Sequence, residues 1–221
     1  MNYSSRSVKT AVPEAALQEM RRVPVQARGQ RTVARILDAA AELFVGDGYD
    51  ATTTTQIAKR AGVSIGSLYQ FFPDKEALLE ALAVRHIEGV DAILAASQQL
   101  GEDASLEDIV ALIVERIVAY VREQPFFGVL LVGAGSSPAA RGSERLRREL
   151  ASRVELIIAY KPISARRRKL VASVCVDLLA ALLPRTLDDV GRSRPGMLRE
   201  LKLALGAYLA AVTASEDVET A

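Results

Sequence analysis

The sequence predicts an all-α protein: a three-helix helix-turn-helix head followed by a larger helical domain. Three observations carry this reading. Apolar residues recur at three- and four-residue spacing through nearly every ordered stretch, sustained two-residue alternation is absent, and residues 53–72 read as two short helices around a glycine turn. Half of the 221 residues are hydrophobic, enough for one sizeable helical core or for a small module fused to a larger one.

Residues 1–28 carry Pro13 and Pro24 and no sustained periodicity, which predicts a flexible basic arm. Net charge is only +1, yet residues 1–35 hold seven basic side chains against two acidic ones. Such an arm is either a solvated tail or a contact to phosphates or a minor groove. Order begins near Gly29. Val33, Ile36, Leu37, Ala40, Leu43 and Phe44 mark one face of an amphipathic helix that Gly46-Asp47-Gly48 ends. Tyr49 can staple the following loop, and the head is expected over residues 29–76.

Thr53 and Gln56 form a capping box, and Ile57, Ala58 and Ala61 supply the buried stripe of the helix that follows. Gly62 turns the chain in the left-handed conformation. Ser64 can cap the next helix, where Leu68 and Phe72 point into a core while Ile65, Gly66, Ser67, Tyr69 and Gln70 stay outside. A turn this short, with small Ala58 at the crossing, suits DNA binding. Pro73-Asp74-Lys75-Glu76 then opens a long helix to about Ser97. Being continuous, it transmits a displacement instead of absorbing it.

The remaining segments, 105–124, 125–132, 139–159, 164–183 and 195–212, also read as helices and make up a domain over residues 77–215, with a tail at 216–221. Ser105 and Asp108 signal a cap, followed by a stripe of Ile109, Leu112, Ile113, Ile117 and Tyr120. Breaks fall at Gln124-Pro125 and at residues 133–138, and Pro184 ends or kinks its helix. The last two helices are apolar on more than one face, which calls for a second subunit or a thicker monomeric core. Arg166-Arg167-Arg168-Lys169 reads as a solvated face or a contact to an acidic partner.

Several chemistries are excluded. His86 is the only histidine, and Cys175, the only cysteine, reads as a small buried hydrophobe. Neither a zinc cluster nor a Ser-His-Asp triad with a second histidine can be assembled, and no phosphate-binding glycine loop or pair of carboxylates on one face is present. We therefore expect no catalytic residue, no metal and no cofactor. No apolar run reaches a membrane span and no signal-peptide core is present, which predicts a cytoplasmic protein.

Residues 35–79 resemble the tetracycline-repressor (TetR) family of bacterial transcriptional regulators. The resemblance is carried by Ile36-Leu37-Asp38-Ala39-Ala40, Leu43-Phe44, Gly48-Tyr49, Ala51-Thr52-Thr53, Ile57-Ala58, Ala61-Gly62-Val63-Ser64, Gly66-Ser67-Leu68-Tyr69 and Phe72-Pro73-Asp74-Lys75-Glu76-Ala77-Leu78. It implies a homodimeric repressor that binds a palindromic double-stranded operator and is released by a small-molecule effector. Thr53 and Ser64 would contact phosphates, Ile65, Gly66, Ser67 and Gln70 would face base edges, and Tyr69 with Lys75 would clamp the backbone. Phe71 departs from the family pattern, offering apolar contact where His or Tyr is common. Arg31, from the basic run, is counted with the DNA-contacting set. Tyr120, Phe126 and Phe127 bracket the break where the family keeps its ligand cavity, and dimerisation would use the two C-terminal helices. The competing reading is a helical ligand-binding or scaffold protein without specific DNA binding.

Overall fold

The computed structural model describes residues 27–97, 104–133, 138–159, 161, 163–188 and 191–214. The expected basic arm up to residue 26 and the tail at 216–221 lie outside them. Nine α-helices follow in order among the described residues: α1 (Ala27–Gly46), α2 (Thr54–Ala61), α3 (Ile65–Phe71), α4 (Lys75–Ser97), α5 (Leu106–Glu123), α6 (Pro125–Val132), α7 (Pro138–Ile157), α8 (Ala165–Leu182) and α9 (Pro195–Ala214). A 3-10 turn, Leu183–Thr186, follows α8, so Pro184 ends that helix. Among the described residues, one antiparallel bridge, between Leu187 and Ser193, lies in the link to α9.

The chain divides into two compact units between Arg85 and His86, inside α4. The sequence pattern puts the boundary earlier, at 76/77, because Pro73 is the local break. The first turns of α4 nevertheless belong to the head: Leu78, Leu79 and Leu82 are fully buried, and buried Arg85 pairs with Asp38 of α1 at 2.6 Å.

In the head, α1 packs on α2 and α2 on α3. Its core-facing residues, among them Val33, Ile36, Leu37, Ala40 and Phe44, recur every three or four positions, as one buried helical face requires. Thr52, also buried, donates its hydroxyl to the Gly48 carbonyl at 2.7 Å and thereby shapes the loop.

In the second unit α5 packs on α9, α7 on α8, and α6 on α7. The buried face of α5 is Val110, Val114, Ile117 and Val118. Ile109, Leu112 and Ile113 of the expected stripe are only half-buried. Because α5 is aliphatic around more than half its circumference, spacing alone leaves the inward face undetermined. Ion pairs tie the helices: Arg153 of α7 bonds Asp91 of α4 through Nε and Nη2, at 2.9 Å for Nη2, Arg147 of α7 lies 3.5 Å from Asp177 of α8, and Lys202 of α9 bonds Glu115 of α5.

Tyr120 of α5 lies against the α4 backbone at Gly89. A Cβ there would stand 2.3 Å from the phenol oxygen and 2.6 Å from Cζ, so the close approach of the two helices depends on the missing side chain. Gly89→Ala should destabilise the second unit by about 1–3 kcal/mol, the range typical of overpacking. Urea unfolding of the full chain would measure this. Combined with Tyr120→Leu, the two losses should be less than additive, because removing the phenol relieves the clash.

Candidate nucleic-acid interface and effector cavity

Local hydrogen bonds build the α2-turn-α3 element. The Thr53 hydroxyl accepts the Gln56 amide N–H at 3.2 Å, while the Gln56 side-chain oxygen accepts the Thr53 N–H at 2.7 Å, completing the capping box. Gly62 adopts φ 63°, and the N–H groups of Gly62 and Val63 return to the carbonyls of Lys59 and Ala58 at 3.1 and 3.0 Å. Ser64 then caps α3 by accepting the Ser67 N–H at 3.1 Å. Leu68 and Phe72, both fully buried, anchor the second helix.

A side chain from α1 holds the turn. Arg35 donates one terminal nitrogen to the carbonyls of Ala61 and Gly62, the latter at 3.1 Å. These carbonyls end α2 and have no helical partner of their own, and the negative end of the helix dipole favours a cation there. Sequence reasoning missed Arg35, because its partners are 26 and 27 residues away.

The outer face of α3 carries the residues expected on it. Ile65 and Tyr69 are 39% and 40% exposed, and Gly66 and Gln70 are exposed as well. Ser67 is half-buried with its hydroxyl 2.8 Å from that of Ser64, and the Tyr69 hydroxyl lies 3.0 Å from that of Thr54. The Gln70 amide has no hydrogen bond to another described residue. Phe71 is half-buried, and Arg31 stands exposed on α1.

Lys75 differs from expectation. Its ammonium donates to the carbonyls of Tyr49, Thr52 and Asp50 at 2.5, 2.9 and 3.3 Å and sits 4.3 Å from the centroid of the Tyr49 ring. An ammonium has three N–H donors, so in the free head each has a carbonyl. Of the expected phosphate clamp, only Tyr69 presents an exposed group.

Tyr120, Phe126 and Phe127 come together, but around a histidine. His86 is fully buried, its Nδ1 2.9 Å from the Tyr120 hydroxyl and its ring 5.6–6.0 Å from the three aromatic centroids. Aromatic edge-to-face packing accounts for the cluster. None of the three lines the apolar cavity of this unit. That cavity, about 80 Å³, lies among α4, α5, α7, α8 and α9 and is bordered by residues such as Val90, Val114, Leu150, Cys175 and Leu205. Burial pushes the Cys175 thiol up to about 11, so it stays protonated at neutral pH.

Comparison with known proteins agrees at both ends of the chain. Residues 36–82 match the family model for bacterial regulatory proteins of the tetR family, and residues 105–209 match the tetracyclin repressor-like C-terminal domain. The chain belongs to the TetR family. Its relatives include the uncharacterized HTH-type transcriptional regulator YvkB of Bacillus subtilis, 47% identical over 27% of this chain, and the HTH-type transcriptional repressor KstR of Rhodococcus jostii, 38% identical over 42%. These alignments span 32% and 42% of the relatives' own lengths. A TetR-family regulator from Streptomyces coelicolor superposes with a TM-score of 0.65 at 25% identity, covering 82% of this chain and 99% of that one.

Lys75→Met keeps the apolar stem over Tyr49 and removes the donors of two part-buried carbonyls, Tyr49 and Thr52, and of the exposed Asp50 carbonyl. It should lower stability by about 1–3 kcal/mol, as expected for orphaned buried acceptors, measured by urea unfolding. Lys75→Arg should recover only part of the loss, because a planar guanidinium cannot spread its donors over three converging carbonyls.

Proposed function

We propose that this TetR-family chain is a ligand-responsive transcriptional regulator, a repressor that binds a two-fold-symmetric operator as a homodimer and leaves it when a small molecule enters the second unit. The observation that carries the reading is the outer face of α3. Gln70 presents an unengaged amide there, flanked by exposed Ile65, Gly66 and Tyr69, on a helix capped by Ser64 and preceded by a turn that the Arg35 clamp holds.

Each exposed group on that face has a distinct part. Gln70 matches the N6/N7 edge of adenine, while Ile65 and Phe71 suit thymine methyl groups. Gly66 lets the α3 backbone approach the bases, with Ser67 beside it. Thr53, Ser64 and Tyr69 are positioned for phosphates, and Arg31 adds a mobile cation. Lys75 acts by holding the loop ahead of α2 in place. With so few hydrogen-bonding groups, specificity also draws on the shape of the duplex. The printed name of KstR as a repressor supports repression.

Selection of bound duplexes from a random pool tests this directly. The expected motif has two inverted half-sites with centres about 10–11 bp apart or slightly more. Gln70→Ala should lose preference at one position per half-site, worth about 1–3 kcal/mol, while affinity for random DNA barely changes. An unchanged motif would remove Gln70 from base reading.

Dimerisation is assigned to α8 and α9, where Leu170 and Leu203 remain 64% and 62% exposed. Leu170→Glu with Leu203→Glu should convert a dimer to a monomer at micromolar concentration by light scattering, with helicity retained. A double variant that stays dimeric places the interface elsewhere.

A further inference from the structure

The cavity of the second unit is walled almost entirely by hydrocarbon. Of the seventeen residues that line it, sixteen are Val, Leu or Ile and the other is Cys175, whose thiol is neutral. No charged, amide or aromatic side chain is among them. Tyr120, Phe126 and Phe127 are packed around His86 instead.

Shape narrows the choice further. The lining follows α5 from Leu106 to Ile117, eleven residues, or about 16 Å at a rise of 1.5 Å per residue. A volume of about 80 Å³ spread over that length is a narrow slot, not a chamber. Burial is graded along it. Leu94, Leu106 and Ile157 are half-buried, whereas Val90, Ile117 and Leu150 are buried. On α4 and α5 the half-buried Leu94 and Leu106 are at one end of the lining and the buried Val90 and Ile117 at the other, whereas on the α7 side half-buried Ile157 adjoins buried Ile158. The mouth of the slot is therefore assigned to the half-buried end, near Leu106.

Such a wall selects by elimination. An ionised ligand finds no counter-charge, and leaving an ion unpaired in apolar surroundings is prohibitive. A cation also lacks an aromatic face to rest on. Ligands with several hydrogen-bonding groups would leave them unmatched. A fused ring system is too wide for the slot at rest, whereas a flexible chain can thread it and displace side chains as it goes. We infer that the effector is an uncharged, single-chain hydrocarbon compound that enters tail first, its polar group stopping at the mouth near Leu106. This rests on the reading of the second unit as the effector domain.

Calorimetric titration of the full chain, without DNA, tests the inference with 1-hexanol, 1-octanol, 1-decanol and 1-dodecanol. The dissociation constant should fall about fourfold per added methylene and level off once the slot is filled. Decanoate at pH 8, decyltrimethylammonium and 2-naphthol should each bind at least tenfold more weakly than 1-decanol. Equal binding of either ion overturns the uncharged assignment, and equal binding of 2-naphthol overturns the linear one. Val114→Phe should block the slot and weaken 1-decanol at least tenfold with helicity intact. Should that variant not fold, Cys175→Ala decides, since enlarging the slot must change how affinity depends on chain length, and an unchanged dependence places the site elsewhere. Because no DNA is present, a chain that binds 1-decanol but keeps its operator refutes only the regulatory reading. One that is active on DNA yet binds none of the alcohols refutes only this inference.

Discussion

Every α-helix ends in carbonyl groups that its own residues cannot bond, and at the ends of α2, α6 and α7 arginines from other helices take up that role. Arg35 of α1 closes the end of α2 at Ala61 and Gly62, and Arg147 of α7 closes the end of α6 at Leu131 and Val132, at 2.9 and 2.8 Å. Arg168 of α8 reaches the Ala159 carbonyl just beyond α7 at 3.1 Å, and Lys75 gathers three carbonyls of the loop ahead of α2. Each bond satisfies an acceptor and also fixes where one element lies against another. The negative end of each helix dipole strengthens the arrangement.

The two units use this device against different backgrounds. In the head the cations brace the backbone around α2 and α3, whose hydroxyls are engaged mainly in short-range caps. The second unit is aliphatic within, its ion pairs at Arg153 and Lys202 sit toward its surface, and its one fully buried imidazole is enclosed by aromatic rings. The head presents hydroxyl and amide groups outward, while the second unit encloses an aliphatic cavity.

What was legible in the sequence followed the range of the interaction. Thr53 with Gln56 and Ser64 with Ser67 are three residues apart, so their caps can be read directly, as can the Gly62 turn and the burial of Leu68 and Phe72. The inward face of α5 could not be read, since Ile109 and Val110 are equally apolar and only the packing of α9 distinguishes them. Lys75 carries no local sign of partners 23 to 26 residues away. Tyr120, Phe126 and Phe127 drew attention as aromatics beside a helix break, yet the cavity formed among aliphatic residues indistinguishable by type from the rest of the core. A void arises from how side chains of several helices fail to meet, which no single stretch of sequence records.

Gly62 is constrained twice over, and that bears on how this head can change through descent. Its left-handed backbone alone would still admit asparagine at modest cost. A Cβ there, however, would stand 2.7 Å from the Arg35 nitrogen that serves the Ala61 and Gly62 carbonyls, so any side chain would displace the clamp. Positions 35 and 62 are therefore bound as an epistatic pair. A lineage that gives up the glycine therefore shifts the Arg35 side chain as well, whereas one that gives up the arginine first keeps a turn held by Gly62 alone.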